Sequence, residues 1–144
     1  MATCEFQKEI DAIILDDDAR QLVATAQEIA KKMIQHDRWG KISDRNSVST
    51  SQIRNIFGTS KQIEMNLSQD TIVQSYNRLV LLKPKMAYAN GRFNKKGDTI
   101  PGFKVLIDCL SYAIDKVDGN YERMQPFFNF LEAILAYHKA EGGK

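Results

Sequence analysis

The sequence predicts an all-α protein, a single compact bundle of about five to six helices forming one domain over residues 1–144. Three observations predict it. Apolar residues recur at the three- and four-residue spacing of helices in segment after segment. No stretch alternates apolar and polar residues as a half-buried strand does. Helix-start and helix-stop residues also fall between the periodic segments, at Asp16–Asp18, Ser49, Asn90–Gly91, Pro101 and Asp118–Asn120. With 144 residues, 43% of them hydrophobic and 26% charged, the chain can close one hydrophobic core.

Residues 5–15 predict a short first helix. Residues 19–37 predict the second, with Leu22, Val23, Ala26, Ile29, Ala30, Met33 and Ile34 in helical phase. The Asp16–Asp18 run stands where carboxylates cap free N–H groups. It lacks the glycine and distal glutamate of a calcium loop. His36–Val48 is a long, basic connection containing Arg38, Trp39, Gly40, Lys41 and Arg45, of the kind that often carries function. With Ser49 as N-cap, Gln52 closes a capping box and Val48 can staple onto Ile53. Ile53, Ile56, Phe57, Ile63 and Leu67 then continue in phase through Gly58.

Residues 70–93 predict the longest helix, with Ile72, Val73, Tyr76, Leu79, Val80, Met86 and Ala87 on one side and a bend near Pro84. Asn90–Gly91 and the Phe93–Asp98 loop end it. Pro101 opens the next helix, whose buried stripe is Val105, Leu106, Cys109, Leu110, Ala113, Ile114 and Val117. The last carries Phe127, Phe130, Leu131, Ile134, Leu135 and Tyr137, and stops at Gly142–Gly143.

The composition excludes several classes. No run of about 18 apolar residues exists, so nothing is expected to span a membrane. The acidic start MATCEFQKEID has neither the basic leader nor the apolar stretch of a secretory signal, and a cytoplasmic protein is expected. Cys4 and Cys109 form no CxxC pair, which fits packing roles in a reduced compartment better than a disulfide. His36 and His138 have no second ligand type at metal spacing, and His138 reads as a core-edge or surface residue. Glu132, inside LEAILAY, reads as a carboxylate held by a nearby basic side chain. No glycine spacing matches a phosphate-binding loop or a dinucleotide fingerprint. No catalytic group, metal site or cofactor is expected, and the chain does not read as an enzyme.

Charge is distributed unevenly. Residues 1–30 carry two basic and seven acidic side chains, residues 31–104 fourteen and five, and residues 105–144 four and six. A basic middle between acidic ends forms one positive face if folding does not interleave the segments. Arg78, Lys85 and Arg92 recur every seven residues, roughly 10 Å apart along a helix and nearly opposite its apolar side. Tyr88 stands three residues from Lys85 and four from Arg92, adding a stacking surface to phosphate-binding cations. Lys83 projects toward the apolar side unless the bend at Pro84 turns it outward. Arg54 and Lys61, also seven apart, flank a well-capped helix N-terminus. RNA or DNA is the partner these residues suit.

Three segments, in this order, resemble the small subunit of type III-A CRISPR (Csm) effector complexes. They are Ser49–Asn55 (STSQIRN), Leu82–Arg92 (LKPKMAYANGR) and Phe130–Lys139 (FLEAILAYHK) with Gly142–Gly143. The resemblance implies a non-catalytic subunit stacked in several copies along guide RNA and target RNA, beside other subunits of the complex. It implies Arg54, Lys85, Tyr88 and Arg92 as RNA-facing residues. The acidic N-terminus and the Asn94–Asp98 loop depart from the family pattern and inherit no role from it.

Two other readings stay open. Residues 52–63 superficially resemble a helix-turn-helix of a DNA-binding regulator, with Gly58 at the turn. That motif prefers a small residue at Arg54 and apolar ones at Thr59 and Glu64. A helical adaptor binding only protein is the third.

Overall fold

The computed structural model describes residues 4–43, 47–92 and 100–142, with the backbone alone at 91–92. The elements are α1 (Gln7–Asp16), α2 (Ala19–Met33), α3 (Thr50–Met65), a single 3-10 turn (Gln69–Thr71), α4 (Ile72–Val80), α5 (Leu82–Arg92), α6 (Pro101–Val117) and α7 (Tyr121–Ala140). The all-α class holds. The helix count rises to seven among the described residues because the expected 70–93 helix is two helices.

Local chemistry explains most boundaries. Asp17 is the left-handed C-cap of α1, while Asp18 accepts from the Gln21 N–H at 3.1 Å as N-cap of α2. At Ser49 both halves of the capping box form: the Gln52 N–H donates to Ser49 Oγ at 3.3 Å, and the Ser49 N–H to Gln52 Oε1 at 2.7 Å. Pro101 opens α6, and Asp118 at φ 48° with Gly119 at φ 71° closes it. Asn120 caps α7 through the Glu122 N–H at 2.9 Å. The second helix ends at Met33, four residues earlier than expected. Ile34 is extended because the chain turns there into a loop whose Gln35 N–H is held by Ser47 Oγ at 2.8 Å.

The break within 70–93 falls at Leu81, not at Pro84. Pro84 is the third residue of α5, in the first turn, where a missing N–H costs little. The split lets Leu79 and Leu82 both turn inward, at 0% and 1% exposure. Val73 and Val80, expected on the buried side, are exposed, as is Ala87.

The core lies between α7 and α2, with α1 and α6 completing it. Phe103, Phe127 and Phe130 are its largest fully buried side chains. Ala26 and Ala30 on α2 are fully buried, and such small residues let a neighbouring helix approach closely. The acidic N-terminal segment is part of this core, burying Ile10, Ile13 and Ile14. Helices α3, α4 and α5 pack on one another, with α3 against α7 and α5 against α6.

One expectation is corrected here, and two are made specific. His138 is fully buried: its Nε2 lies 3.1 Å from the Val48 carbonyl, while Nδ1 has no partner. Burial holds its pKa below the ordinary histidine value. Cys4 and Cys109, distant in sequence, are free thiols whose sulfurs lie 2.7 Å apart in the core. The charge segments do interleave in part, since Lys83 pairs with Asp115 on α6 and Lys32 with Glu5 near the N-terminus. No described helix is long and apolar enough to cross a membrane.

Candidate nucleic-acid interface

All six sequence-derived candidates fall on the three mutually packed helices α3, α4 and α5. Arg54 is exposed in the second turn of α3. Arg78 is exposed in the last turn of α4. Lys85 is exposed on α5, and Tyr88 one turn further on is 72% exposed. Arg92 is the last residue of α5, and its side chain lies outside the described residues. The seven-residue row is therefore not one helical stripe. Arg78 belongs to α4, whereas Lys85, Tyr88 and Arg92 share α5. Within α5, residues three apart are neighbours on the surface, which keeps Lys85 and Tyr88 together.

Pairing divides the cations into two groups. Lys31, Lys32, Lys61, Lys83, Lys104 and Lys116 each have a carboxylate within 4 Å. Among the described residues nine cations have none: Lys8, Arg20, Arg38, Lys41, Arg123 and Lys139 elsewhere in the chain and, on the three packed helices, Arg54, Arg78 and Lys85. Their positive field faces solvent without a neutralising partner, as a phosphate contact requires. Lys61 differs from these three. Its ammonium donates to Glu64 at 3.1 Å, lies 3.9 Å from Glu132 on α7 and sits over the Phe57 ring. The hydrogen bond to Glu64 raises its pKa. Glu132 is thus an exposed partner of a lysine and not a buried acid. Lys83 turns toward α6 and hydrogen-bonds Asp115, so it joins two helices.

The 36–43 loop adds a feature that the sequence offered only as a basic connection. Asp37 accepts at Oδ1 from the Trp39 N–H at 2.8 Å and the Lys41 N–H at 3.0 Å. Asp37 also donates its own N–H to the Lys41 carbonyl at 2.7 Å, and Gly40 takes φ 80° to close the turn. The turn presents Trp39 at 71% exposure with the Arg38 guanidinium 4.3 Å from its ring centroid. A lone Trp in a Gly-containing basic stretch was the available signal. That it stands exposed depends on the turn.

Apolar surface accompanies the cations. Met65, Val73 and Leu81 are 81%, 68% and 57% exposed at the ends of α3 and α4. Residues 52–63 lie within one continuous helix, and Gly58 makes no turn, so this segment is not a helix-turn-helix. Among the described residues, no group of three or more His, Cys, Asp or Glu side chains converges to hold a metal ion.

A family model described as Csm2 Type III-A matches residues 16–144, nearly the whole chain. The chain belongs to this family. It is a small subunit of a type III-A CRISPR complex, as the three quoted segments implied. No curated protein and no solved structure matched the chain. The match begins at the last residue of α1, so the buried first helix precedes the matched region.

Proposed function

We propose that this Csm2-family subunit holds guide and target RNA through the phosphate backbone, without base specificity, while stacking in several copies along its complex. It performs no cleavage itself. The observation that carries the reading is the set of unpaired cations, Arg54, Arg78 and Lys85, on three helices packed together, with exposed Tyr88 beside Lys85. Backbone binding needs such cations and a stacking ring, and needs no side chain fixed against a base edge. Lys61 lies at the margin of this surface and shares its charge with Glu64; Arg92 extends it along α5. The exposed Met65, Val73 and Leu81 support protein contacts, with other subunits and with further copies, next to the RNA.

The test is anisotropy titration of unrelated single-stranded RNAs at two salt concentrations, together with an RNA-cleavage assay in magnesium. Similar affinities that fall steeply with salt, and intact RNA, are expected. A hundredfold preference for one sequence, or cleavage abolished by a single carboxylate substitution, overturns the reading.

A further inference from the structure

Cys4 and Cys109 are 105 residues apart in sequence, yet their sulfurs lie 2.7 Å apart, one thiol donating to the other. Cys4 precedes α1 and lies outside the residues matched by the family, whereas Cys109 sits in the middle of α6. A disulfide needs its sulfurs about 2.0 Å apart, so bond formation asks for less than an ångström of movement. The two residues also line a cavity of about 250 Å³, with Lys104 and Asp108 at its wall. A small oxidant can enter such a space without unfolding the bundle.

The two sulfurs are not equivalent. Cys4 Sγ accepts from the Phe6 N–H at 3.4 Å, at the start of α1, a contact Cys109 lacks; in the bond between the two thiols either sulfur can donate. We propose that Cys4 and Cys109 form a redox-modification site for peroxides, Cys4 reacting first and Cys109 resolving it to an intramolecular disulfide. The hydrogen bond from Cys109 holds Cys4 below the ordinary thiol value, with the Phe6 N–H adding to this and burial opposing it. The same hydrogen bond, together with burial, pushes Cys109 up and keeps it protonated.

The chemistry balances with one peroxide. The Cys4 thiolate attacks one peroxide oxygen, the O–O bond breaks, and the leaving hydroxide takes up a proton as water. Cys4 is then a sulfenic acid, oxidised by two electrons. The Cys109 sulfur attacks Cys4 Sγ and the S–O bond breaks. The departing hydroxide takes the Cys109 proton as a second water. The product pins the segment before α1 onto α6.

The experiment adds one equivalent of hydrogen peroxide to the reduced full-length protein, followed by alkylation and non-reducing peptide mapping. The expected result is a Cys4 peptide linked to a Cys109 peptide within one chain, reversed by dithiothreitol. Closing so long a loop raises Tm by roughly 10 °C. In Cys109→Ser, dimedone labels Cys4, because the sulfenic acid has no resolving partner. Two cysteines still open to alkylation after peroxide, sulfinic acid at either one, or a bond between chains overturns the proposal. The wild-type mapping decides even if the variant does not fold.

Discussion

Helices α6 and α7 and helices α4 and α5 use apolar residues in opposite ways. In α7, Met124, Phe127, Phe128, Phe130, Leu131 and Ile134 are buried, and α6 buries seven side chains besides Gly102. In α4 only Ser75 and Leu79 are buried, while Val73 and Val80 face outward. The charges divide less cleanly, since Lys83 on α5 is paired with Asp115 and Arg123 and Lys139 on α7 have no described carboxylate partner. Lys104 and Lys116 on α6 are paired with Asp108 and Asp11, but Arg78 on α4 and Lys85 on α5 meet no described carboxylate. One pair of helices is consumed by folding. The other is seated on one side only and keeps both cations and apolar side chains available for contacts outside the chain.

The strongest way to break this contrast is at the core. Phe127→Ala should cost about 3–5 kcal/mol, because a fully buried ring leaves a cavity that its neighbours only partly fill. Urea denaturation measures it. A loss below about 1 kcal/mol means that the core does not centre on α7.

Next in size is the contact surface. Tyr88→Ala should weaken RNA binding by about 1–3 kcal/mol if a base or sugar stacks there. Lys85→Ala should lower the salt slope by roughly one unit. Both should leave Tm nearly unchanged, since exposed substitutions are usually within about 0.5 kcal/mol. Salt-dependent titrations and melting on the same samples decide. RNA binding like the parent at both salts, or an unfolded variant, removes α5 from the interface.

A smaller effect tests the seam between α7 and the start of α3, where His138 on α7 donates from Nε2 to the Val48 carbonyl just before α3. Burial lowers its pKa in the fold, so the unfolded chain binds the proton more readily. Its contribution is complete above the unfolded value of about 6.5 and is lost as pH falls from there through the folded pKa. Melting from about pH 7.5 to pH 5.5 should show a decline in the wild type that is shallower in His138→Gln, which keeps an N–H donor and does not titrate. Parallel curves sink this account of the seam.

Smallest of all is Lys83→Ala. Its ion pair with Asp115 is partly exposed and worth about 0–1 kcal/mol. The change should appear in Tm and not in RNA affinity, which separates Lys83 from Lys85 two residues away. An RNA-binding loss equal to that of Lys85→Ala places Lys83 in the interface instead.

Much of the fold is legible without tertiary information, for a definite reason. The capping box of Ser49 and Gln52, Pro101 at a helix start, the Asp118–Gly119 stop and the apolar phase of α6 and α7 are each decided within a few residues. The chemistry that satisfies a free N–H or permits a positive φ is local. Such rules also separate α3 from a helix-turn-helix, since nothing at Gly58 breaks the phase. The candidate cations on α3, α4 and α5 were legible for the same reason, as charges opposite or beside an apolar stripe. Which of them lacks a partner was not legible.

Partnerships depend on what the folded chain brings alongside, and no spacing rule reports that. Lys61 and Lys85 read alike as sequence, yet only Lys61 meets Glu132 from α7. Val73 reads as core, but α4 is seated through Leu79 and Tyr76, whose hydroxyl donates to the Ile114 carbonyl at 3.0 Å. The break at Leu81 exists because Leu79 and Leu82 must both reach the interior. His138 is sealed by Val48, just before α3 and 90 positions away, and Cys4 meets Cys109 across 105. Helix type, caps and phase were set by neighbours in sequence. Burial, ion pairing and the thiol contact were decided by neighbours in space, because desolvation and Coulomb energies are set by every atom around a group.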